Sequence, residues 1–486
     1  MMASCIDTLI IGSGFGGAVV AARLVEAGQK VTLLERGAWR ETAALKDYPL
    51  TQRAPLPHGK YFASHLLRQV SVGGGLVQRK VLNTNGLFDI HYDKGMTSIC
   101  SSGVGGGSHV YLAMNTRPLL ANYWDNRANG LSADNMEAHY QWILSRMGSR
   151  PAQESDNIVN LVPQRLGDHP ALDTKIEQPA LGFRFGHAYA NNAFLGDADS
   201  HKVTLDSLLL APLLTKGLTV YAQHECLTIH QQQTGYRVEV FDHSEQKYRF
   251  LLAKRVVIAA GTLNSLRLLF RSQALGGLAQ MPALGKGFSG NGDVFALWQA
   301  GSKGDDFRTG TPTLGRFKLR GLPDSPMLYA LGINGIDQIP LLPAFLRRSA
   351  KSWLALVGMG NDEANGRVTW RNDELHINYQ QAKNPILAHI YHALDLLSQH
   401  DKKRVWFLPQ RAITVHPLGG ARVGNHQQDS VVNAKGQVHG HRHLYVSDGS
   451  ALPAATGSPP SMTIAAWASH VSQHILSEIK NHETDI

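Results

Sequence analysis

IDTLIIGSGFGG, residues 6–17, sets the architecture of the N-terminal unit. Residues 6–12 form a nearly continuous apolar run, the pattern of a strand buried on both faces. Glycines at 12, 14 and 17 follow and open a helix that carries Val20 and Leu24. In this G-x-G-x-x-G setting Gly12 makes the tight turn, Gly14 lets backbone approach a pyrophosphate, and Gly17 lets the helix pack closely on the strand. The pyrophosphate then rests on the helix N-terminus, where backbone N–H groups lack partners. Gly28 suits the position that stops the helix. KVTLLE, residues 30–35, reads as the second strand and ends on Glu35, where an acid accepts hydrogen bonds from a ribose diol. A tight turn without a ligand is the competing reading. Strand, glycines, helix, stop, strand and acid in one unit favour the dinucleotide.

The rest of the chain bounds the answer. Its 486 residues allow roughly three domains and a sizeable core. With 43% hydrophobic and 17% charged residues it is neither disordered nor fibrous. The net charge is +9, yet no block of five or more basic residues exists to track a phosphate backbone, so nucleic acid is not an expected partner. Cys5, Cys100 and Cys226 show no paired spacing, which excludes a disulfide framework or zinc ribbon and favours a reducing compartment. The apolar start is read as core strand, not as a signal peptide, and no apolar run reaches the ~18 residues of a membrane span. The expected location is therefore cytoplasmic.

Along the chain, residues 40–95, with Pro49, Pro55 and Pro57 and the glycines at 73–75, read as irregular. Residues 101–108, SSGVGGGS, could form a second anion-binding nest of backbone N–H groups. A helix is expected over 124–147 and a loop-rich stretch over 151–200. Residues 216–261 read as a strand, a hairpin at Thr234-Gly235, a further strand and a buried strand RVVIAA at 255–260. A helix over 263–271 follows, then mixed strands with a hairpin at Asn365-Gly366 and a helix over 385–401. A short strand covers 444–447. The final helix has Ser458 as N-cap, Pro459 at its first position and apolar residues at 464, 468, 471, 475 and 479.

IIGSGFGG with Glu35, GVGGGSHVYLAM (103–114), VVIAAGTLNS (256–265), LGKGFSGNGD (284–293), HPLGG (416–420) and LYVSDGSALP (444–453) occur in this order. With them the chain resembles the glucose-methanol-choline (GMC) superfamily of FAD oxidoreductases, and within it the cholesterol-oxidase branch. The resemblance spans nearly the whole chain and is weakest over residues 301–407. It implies an α/β protein: a Rossmann-type FAD-binding domain of discontinuous segments (1–42, 97–118, 215–300 and 408–486) and an α+β substrate domain (43–96, 119–214 and 301–407) whose sheet roofs the flavin. It also implies that Gly12, Gly14, Gly17 and Glu35 hold the ADP half of FAD and that backbone at Cys226 meets adenine. Gly103, Gly105, Gly106, Gly107 and Ser108 would line the flavin and its phosphates, and Asn291 would sit near the isoalloxazine. Asp448 and Gly449 would hold the ribityl chain, with Gly261, Pro459 and Met462 completing the cofactor set.

Oxidising an alcohol on a flavin requires a base over the ring to take the hydroxyl proton while the carbinol hydride leaves. The resemblance of HPLGG to the family's active-site stretch assigns that base to His416, an imidazole whose ordinary pKa near 6.5 suits proton transfer at neutral pH. Related oxidases carry an asparagine or histidine where this chain has Pro459, which offers no donor or acceptor. Ser458, or a residue of the substrate domain, is the expected substitute. Cholesterol oxidases also isomerise a double bond with a glutamate, but residues 321–361 hold no glutamate, only Asp324 and Asp337 as acids before Asp362. Oxidation without isomerisation is therefore expected.

If the final helix points at the flavin, its N-terminus places partial positive charge there. His109 lies beside the glycine loop, but its spacing is one residue off for covalent attachment, so FAD is expected to be non-covalent. His439, His441 and His443 alternate as metal ligands on one strand face would. We read them as a loop and expect no metal. IPLLPAFLRRSAKSW, residues 339–353, reads as an amphipathic helix on the substrate domain that could touch a membrane surface transiently. The expected partners are a small-molecule alcohol, sterol-like or long-chain, and oxygen or a quinone or protein electron acceptor. A flavin-dependent decarboxylase or lyase of the same fold, or a flavin-binding protein with impaired alcohol oxidation, are the alternatives.

Overall fold

The computed structural model describes residues 5–73, 79–156, 169–172, 177–186, 194–302, 304–308, 310–321, 326–333, 343–402, 405–409 and 411–484. The first strand, Ile6–Ile11, lies between Val31–Leu34 and the C-terminal half of the twelve-residue strand Lys247–Ile258, parallel to both. Leu218–Tyr221 and Leu444–Val446 extend this parallel core on its two sides. The N-terminal half of Lys247–Ile258 instead pairs antiparallel with Tyr236–Asp242, which hairpins through Gly235 to His224–Gln231. The expected strand at 255–260 is thus the end of one long strand.

Helix Phe15–Glu26 packs beside the final helix, and small residues allow the close approach: Ala18, Ala21 and Ala22 on the first, Ala465, Ala466 and Ala468 on the second, all buried. Helix Ala133–Arg146 covers another face of the final helix, with Trp124 stacked on Trp467 at 5.8 Å. A second sheet is antiparallel throughout, in the order Gly315–Phe317, Met327–Gly332, Leu354–Met359, Val294–Trp298, Val405–Phe407. Helix Pro385–Asp401 backs it. A Cβ at Gly358 would sit 2.6 Å from Ile390, so helix and sheet meet closely there. Strand alternation then turns Val357 and Met359 to the opposite face, over the parallel sheet. Val294–Trp298 precedes residue 300, yet its hydrogen bonds attach it to this roof.

The structure corrects several local expectations. The irregular reading of residues 40–95 fails in its second half: Leu67–Val72, Lys80–Val81 and Phe88–Tyr92 join Thr97–Ser101 and Ile413–Thr414 in a five-stranded sheet. The buried positions of Leu67–Val72 and Phe88–Tyr92 are Arg68, Gln69, Ser71, Asp89 and His91, so the polar face of these two strands is the covered one and the usual alternation is inverted. The helix expected over 124–147 begins only after Ser132, whose side chain accepts from the Asn135 N–H and caps it. The turn expected at 365–366 falls at Asn372 and Asp373, both left-handed, and Gly366 instead opens a strand. The final helix starts at Ser461, not after Ser458. The three alternating histidines lie in turns with separate partners, Ser430, Gln231 and Glu478. No helix among the described residues is long and apolar enough to cross a membrane.

Between the final helix and Ala133–Arg146, His139 and His470 meet edge-on at 5.3 Å. Burial pushes the pKa of each down to about 4, and at His139 the neighbouring His470 adds to the effect. Their folded values lie below the unfolded value near 6.5, so the unfolded chain binds more protons between these limits. Stability should therefore be lost as pH falls from about 6.5 toward 4. Thermal midpoints measured across that window are expected to decline, with a shallower decline in His470→Gln.

Candidate active site

A cavity of about 310 Å3 lies at the C-terminal ends of the parallel strands, where the first turns of three helices meet. One end is walled by Glu35, Arg36, Glu225 and Cys226, the middle by Gly12, Ser13, Gly14, Gly106, Gly107, Gly261 and Asp448, and the far end by His416, Pro459 and the roof. The middle is built from backbone. Helix Phe15–Glu26 has no side-chain cap, so its first N–H groups are available to an anion. Gly106 is left-handed, and a Cβ there would lie 2.6 Å from Gly14 Cα, so the two glycine turns touch with nothing between them. A Cβ at Gly261 would meet no atom within 4 Å, which leaves this side of the cavity open.

Glu35 accepts from Ser13 Oγ at 2.6 Å, from the Ser13 N–H at 3.2 Å and from the Gly37 N–H at 2.9 Å, which aims its carboxylate along the wall. Glu225 is held by Arg79, Arg68 and His243, and Arg36 by Asp89. Burial opposes ionisation of Glu225, but the charges of Arg79, Arg68 and Arg36 and the hydrogen bond with His243 outweigh it, and its carboxyl stays well below the usual range. Asp448 accepts from the Gly261 N–H at 2.9 Å and from Ser450. Burial pushes the Asp448 carboxyl up. This donor set fits FAD: an acid for a ribose diol, uncapped helix N–H groups for a pyrophosphate, and an open apolar end for the ring.

Not every expected cofactor residue reaches the wall. Gly12, Gly14, Glu35, Gly106, Gly107, Cys226, Gly261, Asp448, Gly449 and Pro459 do. Gly17 stands behind Gly12, where a Cβ would come within 1.8 Å of the Gly12 carbonyl oxygen. Gly103, Gly105 and Ser108 act one layer out. The Gly105 N–H donates to Ser13 Oγ at 3.1 Å, Ser108 Oγ donates to the Gly105 carbonyl at 2.7 Å, and Arg40 donates to the Ser102 carbonyl below Gly103. Met462 is wholly buried in the final helix.

Asn291 does not face the cavity either. Its amide donates to the Ser458 carbonyl and accepts from Thr456 and the Gly457 N–H, so it holds the loop before the final helix. Ser458 donates its hydroxyl to the Arg117 carbonyl at 2.7 Å and is buried. It is therefore not presented to a substrate. The serine of that helix on the cavity wall is Ser461, whose hydroxyl makes, among the described residues, one long 3.4 Å bond to the Met114 carbonyl.

His416 is on the wall, one-fifth exposed, and its Nδ1 lies 3.0 Å from both oxygens of Asp293, whose side chain is fully buried. Asp293 also accepts from Thr414 Oγ1 and the Val415 N–H. Asp293 ends the LGKGFSGNGD stretch, but 123 residues separate it from His416 and no local pattern pairs the two. His109 is buried, bonded to the Val104 carbonyl at 2.8 Å and 3.3 Å from Asp206. Above His416 the wall is apolar: Leu112, Met114, Phe295, Val357 and Met359.

Comparisons with known proteins bear on the family and the fold. A family described as GMC oxidoreductase matches residues 6–290 through its N-terminal part and 363–468 through its C-terminal part. A cholesterol oxidase of Acinetobacter baumannii is 22% identical over 96% of this chain and 94% of its own. A long-chain-alcohol oxidase of Arabidopsis thaliana is 21% identical over 99% of this chain and 68% of its own. The crystal structure of pyridoxine 4-oxidase from Mesorbium loti shares the fold at a TM-score of 0.62 and 18% identity, covering 96% and 99% of the two chains.

The contact between the two glycine turns can be tested directly. Gly106→Ala must push Gly14 away, and the bound FAD per chain is expected to fall at least about tenfold, some 1.4 kcal/mol in affinity. The ratio of flavin to protein absorbance in the purified variant measures this.

Proposed function

The chain belongs to the GMC oxidoreductase family, and from that premise we propose that it oxidises the CH–OH group of an apolar alcohol, with non-covalent FAD and with His416 as the base. One observation carries the reading. Nδ1 of His416 is committed to Asp293, so the second ring nitrogen is left to the cavity beneath an apolar roof. FAD, when bound, supplies the acceptor for the carbinol hydride. The chain's own part is to seat the alcohol under Phe295, Val357 and Met359, exclude water, and take the hydroxyl proton at His416 Nε2. Ser461 is the wall hydroxyl that can donate to the substrate oxygen in place of the side chain missing at Pro459. Residues 459–461 line the cavity at the start of the final helix, which directs the helix's positive end into it.

The relatives named for cholesterol and long-chain alcohols support an apolar substrate. The bonds that hold His109 within the protein support non-covalent FAD. Asp324 and Asp337 lie outside the described residues, and oxidation without double-bond isomerisation is retained as part of the proposal. So is the division into FAD and substrate domains, with Val294–Trp298 assigned to the roof that its hydrogen bonds join. Helix Ala344–Ser349 has no buried residue and exposes Phe345 and Leu346 beside Arg348, which supports a transient contact with an anionic membrane surface. Residues 339–342 of that segment lie outside the described residues.

Anaerobic bleaching of the flavin by a panel of sterols and long-chain alcohols tests the reaction. At least one is expected to bleach it, and a 5-ene sterol that reacts should give no conjugated enone. Bleaching by none would favour a flavin-binding protein without alcohol chemistry, and light-dependent turnover a lyase. Peroxide formed under air identifies oxygen as an acceptor. His416→Ala is expected to keep its FAD and lose turnover by about a hundredfold or more. Flotation with anionic vesicles, lost in Phe345→Glu, checks the surface contact.

A further inference from the structure

Asp293 holds its place through donors of different kinds. The Val415 N–H, 3.0 Å from Oδ2, can only donate, and His416 Nδ1 lies 3.0 Å from both oxygens, of which Oδ1 holds no other bond among the described residues. A buried carboxylate accepts only, so the ring nitrogen beside it must carry the hydrogen. The neutral imidazole then has its lone pair on Nε2, the nitrogen left to the cavity. Thr414 fixes the same register from the backbone side: its Oγ1 lies 2.9 Å from Asp293 and accepts the His416 N–H at 2.8 Å. Beyond the assignment of His416 itself, we propose that Asp293 is the positioning residue that selects the Nδ1–H tautomer of His416 and so makes Nε2 a base. The inference rests on the reading of His416 as the base.

The geometry makes Asp293→Asn more than a loss of charge. The Val415 N–H requires an acceptor, so the asparagine carbonyl oxygen takes the Oδ2 position. Its NH2 group then occupies the Oδ1 position, 3.0 Å from His416 Nδ1, while the carbonyl oxygen at the Oδ2 position, also 3.0 Å from Nδ1, is already taken by the Val415 N–H and Thr414 Oγ1. The ring must accept there and move its hydrogen to Nε2, where it blocks proton uptake from a hydroxyl. The side chain keeps its size, so packing around it is preserved.

The test pairs a tautomer measurement with kinetics. Histidine 15N NMR of the holoenzyme, with the His416 signal assigned by its loss in His416→Gln, is expected to show hydrogen on Nδ1 in the wild type and on Nε2 in Asp293→Asn. Turnover of an alcohol found active in the panel should fall about a thousandfold or more, with KM within about threefold and flavin content unchanged. A wild-type His416 with its hydrogen on Nε2, or a tautomer unmoved by Asp293→Asn, overturns the proposal whatever the rates. A tautomer that switches while turnover stays intact leaves Asp293 as the selector and overturns instead the reading of His416 as base. If Asp293→Asn fails to load FAD, the wild-type tautomer decides.

Discussion

The five-residue turn Ser289-Gly290-Asn291-Gly292-Asp293 joins segments that the chain keeps far apart. Its backbone runs left-handed at Asn291 and Gly292, and a Cβ at Gly292 would lie 2.6 Å from the Gly360 carbonyl oxygen. Only glycine fits there without displacing the roof. From this turn Asp293 reaches Thr414, Val415 and His416, Asn291 reaches residues 456–458, and the Gly290 N–H donates to Asp362. His416, the loop that sets the start of the final helix and the edge of the roof are thereby fixed to one rigid piece. A displacement of any one would be felt by the other two, which is how a site assembled from distant segments keeps hydrogen-bond tolerances.

At the other end of the cavity the same work is done by buried charge. Arg36, Arg68, Arg79, Asp89 and Glu225 form a connected set of ion pairs under the five-stranded sheet. Such pairs add little net stability, because desolvation offsets their attraction, but breaking one leaves an uncompensated buried charge. Their value here is positional: they hold Arg36, Arg79 and Glu225 on the cavity wall. Arg40 works similarly below the second glycine turn, donating to the carbonyls of Asn85, Gly86 and Ser102. Burial pushes its pKa down to about 10, which still leaves it charged at neutral pH. The cavity is thus polar in its supports, while the wall beneath the roof, where the proposed substrate sits, is apolar.

Residues were legible where local chemistry and local pattern agree. The strand, turn, helix and acid at 6–35 follow one another within a single unit, so the dinucleotide end could be read directly. Helix Pro385–Asp401 coincides with the expected span because its proline and apolar period are local signals. The sheet at 67–101 escaped because its buried face is polar, and hydrophobic alternation cannot report a face covered by ion pairs. Asn291 carried the family's motif but not its expected position, since its amide is consumed by Thr456, Gly457 and Ser458. Ser458 was misjudged for a related reason: the final helix begins three residues later, after two consecutive prolines, and this moves the wall hydroxyl to Ser461.

Residue type within a short stretch was enough for the parallel core, the glycine turn at 12–17 and the acid at 35, whereas His416 was singled out by the likeness of HPLGG to a family motif. The tertiary structure alone decided which glycines reach the cavity, which hydroxyl faces it and which carboxylate stands behind His416. Those relations depend on contacts between residues more than a hundred positions apart, and nothing in a local pattern encodes the direction in which a distant side chain will point.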